Sequence, residues 1–454
     1  MCAIAGGVDV DINAMLAVMR HRGPEARGTF VKDRVSLGHC LLSIVGHGKQ
    51  PFCGCRDDFV LVCNGEIYNH AELRKGLKEH IFRTTSDTEV IIHLVEESYG
   101  GDLVQAVKDV LPKLDGDYAF AVYYEGKIVL ARDPVGVKPL FYSGLAFSSE
   151  RKALGASRDR IRRLSPGCVM LLGGKEEKAI SLSEKKVKSP VEELEAALVS
   201  AVEKRTRGVK VGLLFSAGLD SSVLAWIMKD LRREDELTLY TVGMENSPDI
   251  KYVSRLEEDF ELRILIINEE ELMDYVRKVI YAIEDWNPMK VSVGVPLYAA
   301  CEAAREDGLK VVLSGQGADE LFAGYHRYLR MGSEELKKAL TKDIQKLAEV
   351  NLERDDAVAM ANSLELRVPY LDSRVVEAAI GIPVNYKIKD GRRKHILRII
   401  ARRKGVPEFI VERDKKAVQY ATGVEKALRK LAKGKGKTLE EFLRGVYREV
   451  FPWT

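Results

Sequence analysis

Two short turns in the sequence combine glycine, serine and aspartate in a way that suits polyphosphate binding. The first is Ser216-Ala217-Gly218-Leu219-Asp220-Ser221-Ser222, which follows the apolar run 212–215. Small residues between a buried strand and a helix let backbone N–H groups and the positive end of the helix face an anion. No lysine follows the glycine, so this is not a GxxxxGK[ST] loop, and γ-phosphate transfer of that type is not expected.

A second turn of the same build, Ser314-Gly315-Gln316-Gly317-Ala318-Asp319-Glu320, follows a predicted strand at 310–313. Loops at the carboxyl ends of neighbouring parallel strands converge on one crevice, which would bring Asp220 and Asp319 together. Mg²⁺ prefers carboxylates together with phosphate oxygens. The alternative for each aspartate taken singly is a helix N-cap. Because the two turns share one build, we favour a magnesium-polyphosphate site.

A cysteine in the second position could supply a nucleophile. Its small side chain permits removal of Met1, which would give Cys2 a free α-amino group. A thiol of pKa ~8.5 beside an α-amine of pKa ~7.7 combines nucleophile and base in one residue. The alternative is an ordinary strand residue.

Two domains of different build must position these residues. Short apolar runs broken by Gly, Asn and Asp extend to about residue 172 and predict an antiparallel α+β domain. The polar stretch that follows can bury little, so we place the domain boundary near residue 188. Beyond it, strands alternate with amphipathic helices, which predicts a doubly wound α/β domain with a parallel sheet and a helical extension from about residue 334. The predicted strands are 36–42, 59–63, 117–124, 127–131, 168–172, 209–215, 237–242, 262–267 and 310–313, and the predicted helices are 222–231, 249–258, 269–283 and 319–329.

Charge is nearly balanced overall but concentrated locally. The 454 residues carry 71 Lys and Arg against 68 Asp and Glu, a net charge of +3, which excludes a supercharged nucleic-acid coat protein or an acidic disordered tail. Residues 388–437 nevertheless hold 17 Lys and Arg and 5 Asp and Glu. Such a run is usually a solvated helical face. The functional alternatives are a positive lid over a polyanion or, more weakly, a nucleic-acid surface.

Compartment signals favour a cytoplasmic protein that has no membrane-spanning segment. No stretch approaches the ~18 uninterrupted apolar residues of a membrane helix, and the first residues lack the basic segment of a signal peptide. Seven cysteines, an odd number, argue for reduced thiols rather than a disulfide framework. Four cysteines and two histidines could form a metal cluster, but neither a paired CxxC nor a spaced His pair is present, so we expect buried, inert thiols. The six residues are Cys40, Cys53, Cys55, Cys63, His39 and His47.

The turn at 216–222 resembles the SGGxDS loop of ATP pyrophosphatases, which split ATP between the α and β phosphates and leave an adenylated substrate. The turn at 314–320 narrows the resemblance to asparagine synthetases and their close relatives. The resemblance implies that Asp220 and Asp319 bind Mg²⁺-pyrophosphate, and that Lys394 contacts phosphate and an adenylate intermediate. The other residues implied to bind ATP are Leu214, Ser216, Gly218, Ser221, Ser222, Val242, Ser314 and Gly315.

The N-terminal part resembles class II glutamine amidotransferases in the blocks 20–25, 64–69, 86–89, 130–140 and 149–154. In that family a mature N-terminal cysteine attacks the glutamine amide and forms a glutamyl thioester. The resemblance implies an Ntn-type αββα sandwich with Cys2 as nucleophile. It further implies an oxyanion hole at Asn64 and Gly65, and a site for the α-ammonium of glutamine at Glu66 and Asp87.

The two resemblances together cover nearly the whole chain. They imply a glutaminase over residues 2–187 and an ATP-pyrophosphatase synthetase over residues 188–454. The implied reaction converts aspartate, glutamine and ATP to asparagine, glutamate, AMP and pyrophosphate through a β-aspartyl-AMP intermediate, with Mg²⁺ as cofactor. Nucleic-acid and membrane partners are not expected, and a homodimer stays open.

Four positions depart from the family pattern. In Asp356-Ala357, Ala357 stands where the family commonly carries an arginine, in the region of the acceptor pocket. Leu41 stands where the family carries an arginine for the α-carboxylate of glutamine, which predicts a high glutamine KM unless Lys49 or Arg56 substitutes. Gln316 stands where many members carry a glutamate proposed as a base. Ala217 replaces a glycine, which should be tolerated at a negative φ.

Four other functions stay open from the sequence. They are an amidotransferase for another carboxylate, an enzyme that runs on free ammonia, a tRNA-modifying pyrophosphatase and a regulatory, non-enzymatic relative.

Overall fold

The chain folds into two compact units, Met1–Leu182 and Ser183–Thr454. The computed structural model describes residues 2–56, 58–156, 158–231, 236–245, 247–256, 258–413 and 422–452. The division falls a few residues before the boundary expected near residue 188, within the same polar stretch.

The first unit is a sandwich of two antiparallel sheets, which confirms the predicted αββα architecture. Its elements are β1 (Cys2–Val8), α1 (Ile12–Val18), β2 (Ala26–Lys32), β3 (Val35–Leu41), β4 (Phe52–Cys53), β5 (Val60–Ile67), α2 (His70–Gly76), α3 (Val90–Ser98), α4 (Leu103–Val110), β6 (Gly116–Tyr124), β7 (Lys127–Arg132), β8 (Phe141–Ser143), β9 (Ala146–Ser148), β10 (Arg162–Arg163), β11 (Cys168–Leu171) and β12 (Glu176–Lys178). Within the described residues the sheets have the orders β10-β8-β9-β1-β3-β2 and β12-β11-β7-β6-β5-β4. Helix α1 covers the outer face of the first sheet, and α3 and α4 cover that of the second.

The two faces of β1 have different surroundings because successive side chains of a strand point to opposite sides. Ala3 and Ala5 pack against α1, whereas Ile4 packs between the sheets with Val60 and Val62 of β5. Both faces of β1 are therefore covered, and its sequence is apolar or small almost throughout, without the polar alternation of an exposed strand.

The second unit is built on a five-stranded parallel sheet within its described residues, which confirms the predicted α/β fold. Its elements are α5 (Pro190–Thr206), β13 (Val211–Leu214), α6 (Leu219–Asp230), β14 (Leu237–Met244), α7 (Pro248–Val253), β15 (Glu261–Ile267), α8 (Glu269–Ile283), α9 (Pro288–Glu306), β16 (Val311–Leu313), α10 (Ala318–Leu321), α11 (Ser333–Leu347), α12 (Glu353–Ala361), β17 (Glu365–Arg367), α13 (Ser373–Gly381), α14 (Val384–Lys387), β18 (Ile388–Lys389), β19 (Arg392–Arg393), α15 (His395–Arg403), α16 (Glu408–Val411), α17 (Val424–Gly434) and α18 (Leu439–Val450). The strand order is β15-β14-β13-β16-β17, so the direction of winding reverses between β13 and β16. Ligands of open α/β sheets bind in the crevice at such a reversal.

Two predicted elements differ from the structure. The helix expected over 319–329 ends at Leu321, because Ala323 has a left-handed backbone with a φ of 57°, which cannot continue a right-handed helix. The helical extension expected from residue 334 contains three short strands among its described residues, β17, β18 and β19. Strands of two or three residues are too short to show a period in the sequence.

The apolar segments of the chain serve the cores of the two units. Helix α9 has 19 residues but includes Lys290, Glu302, Arg305 and Glu306. None of the described helices combines the length and the apolar character that a membrane-spanning segment requires.

Candidate active sites

Cys2 lies at the start of β1, on the face that packs between the sheets. It shares this face with Ile4, because the two residues are two positions apart on the strand. Cys2 is 6% exposed, and its backbone N–H donates to Asn64 Oδ1 over 3.2 Å. This nitrogen is the atom that becomes the α-amine when Met1 is removed. The candidate base and Asn64 are therefore already in contact.

Asn64 offers a buried donor in the same place. It follows Val60 and Val62 on the inner face of β5 and is fully buried. Among the described residues its Nδ2 amide has no hydrogen-bond acceptor. A buried unsatisfied donor typically costs ~1–3 kcal/mol, which a developing oxyanion would recover.

Gly65, the second oxyanion candidate, runs close to the neighbouring strand β6. A Cβ at this position would lie 2.5 Å from the carbonyl oxygen of Asp117, so a larger residue does not fit. The register pairs Gly65 with Tyr118. Glycine is therefore fixed here by the packing of two strands.

The two carboxylates predicted to hold glutamine lie next to this strand segment. Glu66 is 7% exposed and shares the inner face of β5 with Asn64. Asp87 begins the short 3-10 helix Asp87–Glu89, and its Oδ2 accepts the backbone N–H of Ile67 over 2.7 Å. The end of β5 thus gathers all four residues that were predicted around Cys2.

A buried ion cluster, which sequence reasoning missed, supports the backbone of Cys2. The Nε of Arg22 donates to the Cys2 carbonyl oxygen over 3.2 Å, and Arg22 Nη1 lies 3.3 Å from Glu150 Oε1. His21 and Lys152 also pair with Glu150, at 2.9 and 2.8 Å. Burial opposes ionisation, but the surrounding charges of His21, Lys152 and Arg22 hold the pKa of Glu150 well below its usual range. Residues of the Arg-His-Arg-Gly-Pro block and of the Ser-Glu-Arg-Lys block therefore form one ion cluster, which holds the backbone of Cys2.

Leu41 lies beside the candidate nucleophile. The register of β1 and β3 pairs it directly with Cys2. The side chain of Arg56, one of the two alternatives for the missing arginine, is 71% exposed, and its Nε lies 4.0 Å from Glu96 Oε1. The high glutamine KM stays a prediction.

A crevice of about 230 Å³ opens in the second unit at the reversal between β13 and β16. Asp319 lines it, as do nine of the ten residues that were predicted to bind ATP. The exception is Ser222, whose side chain is fully buried one position further around α6. The nine are Leu214, Ser216, Gly218, Asp220, Ser221, Val242, Ser314, Gly315 and Lys394.

Lys394 bridges the two aspartates of the crevice. Its Nζ lies 2.6 Å from both carboxylate oxygens of Asp220 and 2.6 Å from Asp319 Oδ1. Burial lowers the pKa of Lys394, although the charge of Asp220 opposes this shift. The N-cap alternative is wrong, since the caps of α6 and α10 are Gly218 and Gly317. Two carboxylates that converge on one cation position fit the donor set of Mg²⁺.

Two glycines leave room for this ion cluster. A Cβ on Gly324 would lie 1.8 Å from Asp319 Oδ1 and 2.2 Å from Lys394 Cε. A Cβ on Gly315 would lie 3.0 Å from the Cβ of Asp220. The close approach of the two turns therefore depends on residues without side chains.

The condition under which Ala217 should be tolerated, a negative φ, is not met. Its φ is 48°, in the left-handed region, which costs a non-glycine residue about 1 kcal/mol. Arg413 Nη1 donates to the carbonyl oxygens of Ser216 and Ala217, at 2.8 and 3.2 Å. These contacts help to hold the strained turn.

A second charged group lines the crevice and was not predicted. Gln316 Nε2 donates to Asp355 Oδ2 over 2.6 Å, and Arg354 Nη2 lies 2.7 Å from Asp355 Oδ1. Arg354 and Asp355 are each 4% exposed. The sequence signal that could have found them is a run of four charged residues, 353–356, followed directly by apolar residues, which is unusual for a solvated helix.

The basic segment 388–437 divides between the two predicted environments. Arg402 and Lys404 form ion pairs on the outside of α15, with Glu408 and Asp230 among their partners. Residues 414–421 lie outside the described residues. The Gly-Lys stretch 433–437, whose composition is typical of a loop, begins with the last two residues of α17 and continues beyond the helix from residue 435. Four basic residues of the segment line the crevice, namely Arg393, Lys394, Arg398 and Arg413.

Comparisons with known families match both units. A model of the glutamine amidotransferase domain matches residues 1–210, and a model of asparagine synthase matches residues 193–335 and 330–447. The chain belongs to the asparagine synthetase family. This membership accounts for the presence of both candidate sites on one asparagine synthetase chain.

Curated relatives of this asparagine synthetase family member cover most of its length. A Methanocaldococcus jannaschii protein, provisionally assigned as glutamine-hydrolysing asparagine synthetase 1, is 41% identical over 99% of both chains. Asparagine synthetase 1 of Arabidopsis thaliana is 32% identical over 89% of this chain and 74% of its own. Asparagine synthetase B of Escherichia coli K12 is 31% identical over 88% of this chain and 78% of its own.

One solved structure shows a weaker similarity. Glutamine phosphoribosylpyrophosphate amidotransferase from B. subtilis is 18% identical, with a TM-score of 0.37 over 58% of this chain and 81% of that chain. This similarity is too low to add to the assignment.

Proposed function

We propose that the protein is an ATP-dependent, glutamine-hydrolysing asparagine synthetase. The observation that carries the proposal is the convergence of Asp220, Asp319 and Lys394 at the sheet reversal of one unit, on the chain whose other unit joins Cys2 to Asn64. The first arrangement suits pyrophosphate release, and the second suits amide hydrolysis. We assign the glutaminase to residues 2–187 and the synthetase to residues 188–454.

In the glutaminase, the thiol of Cys2 attacks the carboxamide carbon of glutamine. The free α-amine of Cys2 takes the thiol proton and passes it to the departing ammonia. The Asn64 amide and the Gly65 N–H stabilise the oxyanion, each donor contributing ~3 kcal/mol. Glu66 and Asp87 hold the α-ammonium group of glutamine. Water then hydrolyses the thioester to glutamate.

In the synthetase, the side-chain carboxylate of aspartate attacks the α-phosphorus of ATP and pyrophosphate leaves. Ammonia attacks the resulting acyl carbon, and AMP leaves with formation of asparagine. Asp220 and Asp319 would hold Mg²⁺, which neutralises pyrophosphate charge when it is bound. Lys394 turns from its carboxylate partners to phosphate oxygens as the nucleotide enters.

The charged pair Arg354 and Asp355 favours an amino acid as the substrate that receives the nitrogen. Arg354 and Asp355 present opposite charges at the lining of the cavity. A zwitterion can satisfy both, because its α-carboxylate pairs with a guanidinium and its α-ammonium pairs with a carboxylate. Gln316 cannot accept a proton as a base and here donates to Asp355.

Ammonia-dependent operation is a second candidate, favoured by the uncharged Leu41 opposite Cys2. In this second candidate function, the same synthetase reaction takes its nitrogen from free ammonium in the cell. The cytoplasmic location and the homodimer stay predictions.

The test compares acceptors under both nitrogen donors. Purified protein receives Mg²⁺-ATP, glutamine or ammonium, and either aspartate, glutamate or another carboxylate, and AMP, pyrophosphate and amide product are measured. We expect AMP and asparagine with aspartate only. If AMP formed with another carboxylate instead, that carboxylate would be the substrate in place of aspartate. Formation of ADP would refute cleavage of ATP between the α and β phosphates.

A further inference from the structure

Four metal-ligating side chains meet in the first unit, and none of them belongs to the residues assigned to glutamine. Cys55 follows β4, His80 follows α2, and His93 and Glu96 lie one turn apart on α3. One ligand atom from each residue lies within 4.8 Å of every other. Of the six residues considered as a metal cluster from the sequence, this group contains Cys55, and among the described residues no other such group forms.

Four of the six distances between the ligand atoms are close to those around a tetrahedral zinc ion, the longest of the four exceeding the ideal value by about 0.5 Å. Cys55 Sγ lies 3.5 Å from His80 Nδ1 and 3.6 Å from His93 Nδ1. Glu96 Oε2 lies 3.6 Å from His80 Nδ1 and 3.9 Å from His93 Nδ1. With Zn–S of ~2.3 Å and Zn–N and Zn–O of ~2.0–2.2 Å, a tetrahedron places S and N ~3.5 Å apart and N and O ~3.4 Å apart.

Hydrogen bonds account for only part of this arrangement. Cys55 Sγ lies within hydrogen-bond range of both Nδ1 atoms, whereas the separations between Glu96 Oε2 and the two Nδ1 atoms exceed a hydrogen bond. Glu96 and His93 are buried, at 7% and 1% exposed, whereas Cys55 is exposed, so the expectation of a buried, inert thiol is wrong for Cys55. A cation at the common centre satisfies all four groups at once.

The surroundings are those of a metal site. Coordination through Nδ1 leaves the proton of His93 on Nε2, which faces Glu89 Oε1 at 3.7 Å and has no hydrogen-bond partner among the described residues. A carboxylate behind a metal-bound histidine is a common supporting arrangement. The backbone N–H of Ile81 donates to Cys55 Sγ over 3.4 Å, which stabilises a thiolate.

We propose that Cys55, His80, His93 and Glu96 bind one structural zinc ion. A thiolate, two imidazoles and a carboxylate are the nitrogen, sulfur and oxygen ligands that Zn²⁺ takes, and four protein ligands close the tetrahedron. The ion would be neutralised by the two anionic ligands, which limits the cost of burying its charge. A closed site of this kind stabilises the fold and leaves no position for a substrate.

Zinc would tie three separate segments together. Glu96 also accepts the backbone N–H groups of Cys55 and Arg56, at 2.8 and 2.9 Å, so the turn after β4 is already held against α3. His80 would add the segment between α2 and the helix Asp87–Glu89, which contains a residue assigned to glutamine. The ion would thereby fix the position of the segment that leads into the helix Asp87–Glu89.

The test measures metal content in the whole chain. Protein purified without added metal or chelator should contain about one zinc per chain by inductively coupled plasma mass spectrometry. Cys55→Ser and His80→Ala should lose it, whereas Cys53→Ser and His47→Ala, two matched controls outside the cluster, should keep it. Chelation should lower the thermal unfolding midpoint of the wild type and of both controls.

Cobalt makes the test independent of whether the variants fold. Metal-free wild-type chain titrated with Co²⁺ should develop a thiolate-to-cobalt charge-transfer band and the intense visible bands of a tetrahedral site, saturating at about one equivalent. Zinc-free wild type that gives no such bands would overturn the proposal. Zinc retained by folded Cys55→Ser and His80→Ala, or lost by folded Cys53→Ser, would overturn the assigned ligands.

Discussion

The two candidate active sites are built in opposite ways. Next to Cys2, the candidate oxyanion donors are strand backbone and the neutral amide of Asn64, whose Nδ2 has no hydrogen-bond acceptor among the described residues. In the crevice of the second unit, three charged groups already satisfy one another, with Lys394 between Asp220 and Asp319.

This difference predicts that the two sites bind their ligands differently, one without rearrangement and one with it. The proposed glutaminase site would be preorganised, because Asn64 lies on a paired strand and its Oδ1 already accepts the backbone N–H of Cys2. The synthetase site must exchange an internal ion contact for contacts with nucleotide and cation. Variants that remove one residue from either site should therefore have separable effects.

The largest expected effect is that of Cys2→Ala. Glutamine-dependent asparagine formation should fall by about four orders of magnitude or more, since no other group replaces the nucleophile. Ammonium-dependent formation should stay unchanged, as measured by AMP and asparagine release. Cys40→Ala, which removes a buried thiol on the neighbouring strand, is the control and should keep glutamine use.

Asp319→Asn should stop synthesis with both donors while leaving glutamine hydrolysis intact. We expect AMP formation to fall by about 10²–10³-fold, because the amide keeps the shape but removes a charge from the cation position. Rates with glutamine and with ammonium should fall in parallel. A loss confined to the glutamine reaction would contradict the separation of the two sites.

Asn64→Ala should lower the glutaminase kcat by roughly 10²-fold, the usual effect of losing one oxyanion donor. The glutamine KM should change less, because the donor acts mainly on the transition state. Steady-state kinetics of glutamate release measure both constants. A rise in KM with an unchanged kcat would instead make Asn64 a binding residue.

Leu41→Arg should lower the glutamine KM by about tenfold, the effect of a charge-assisted bond to the α-carboxylate. Ammonium-dependent synthesis should not change. Ser43→Arg, close by but beyond the end of β3, is the control. An unaffected KM would mean that another group already binds this carboxylate.

The smallest expected effect is that of Ala217→Gly. Relief of the left-handed backbone should raise the free energy of unfolding by less than about 1 kcal/mol, since glycine also gains freedom in the unfolded chain. Ala225→Gly in helix α6 should lower it by about 1 kcal/mol or more. Denaturant titrations measure the free energy of unfolding of both variants. If both variants lost the same amount of stability, the backbone of residue 217 would not be strained.

The two phosphate-binding turns could be predicted from the sequence, whereas the contacts between residues far apart in the chain could not. Ser216–Ser222 and Asp319 follow apolar runs whose period is visible locally, so their crevice could be anticipated. The zinc candidates come from segments with no metal-binding motif, although the spacing of His93 and Glu96 suits one helix face. Arg354 in the crevice was not predicted from the sequence, and the φ of Ala217 depends on how the loop closes.

The central claim is that nitrogen released at Cys2 is joined to a carboxylate activated by adenylation. The most direct measurement supplies aspartate, Mg²⁺-ATP, amide-¹⁵N glutamine and unlabelled ammonium to the wild type and to Cys2→Ala, and analyses asparagine by mass spectrometry. The account predicts ¹⁵N in the amide of asparagine from the wild type, unlabelled asparagine from the variant, and AMP with pyrophosphate in both. Labelled asparagine from Cys2→Ala, or ADP as the nucleotide product, would contradict it.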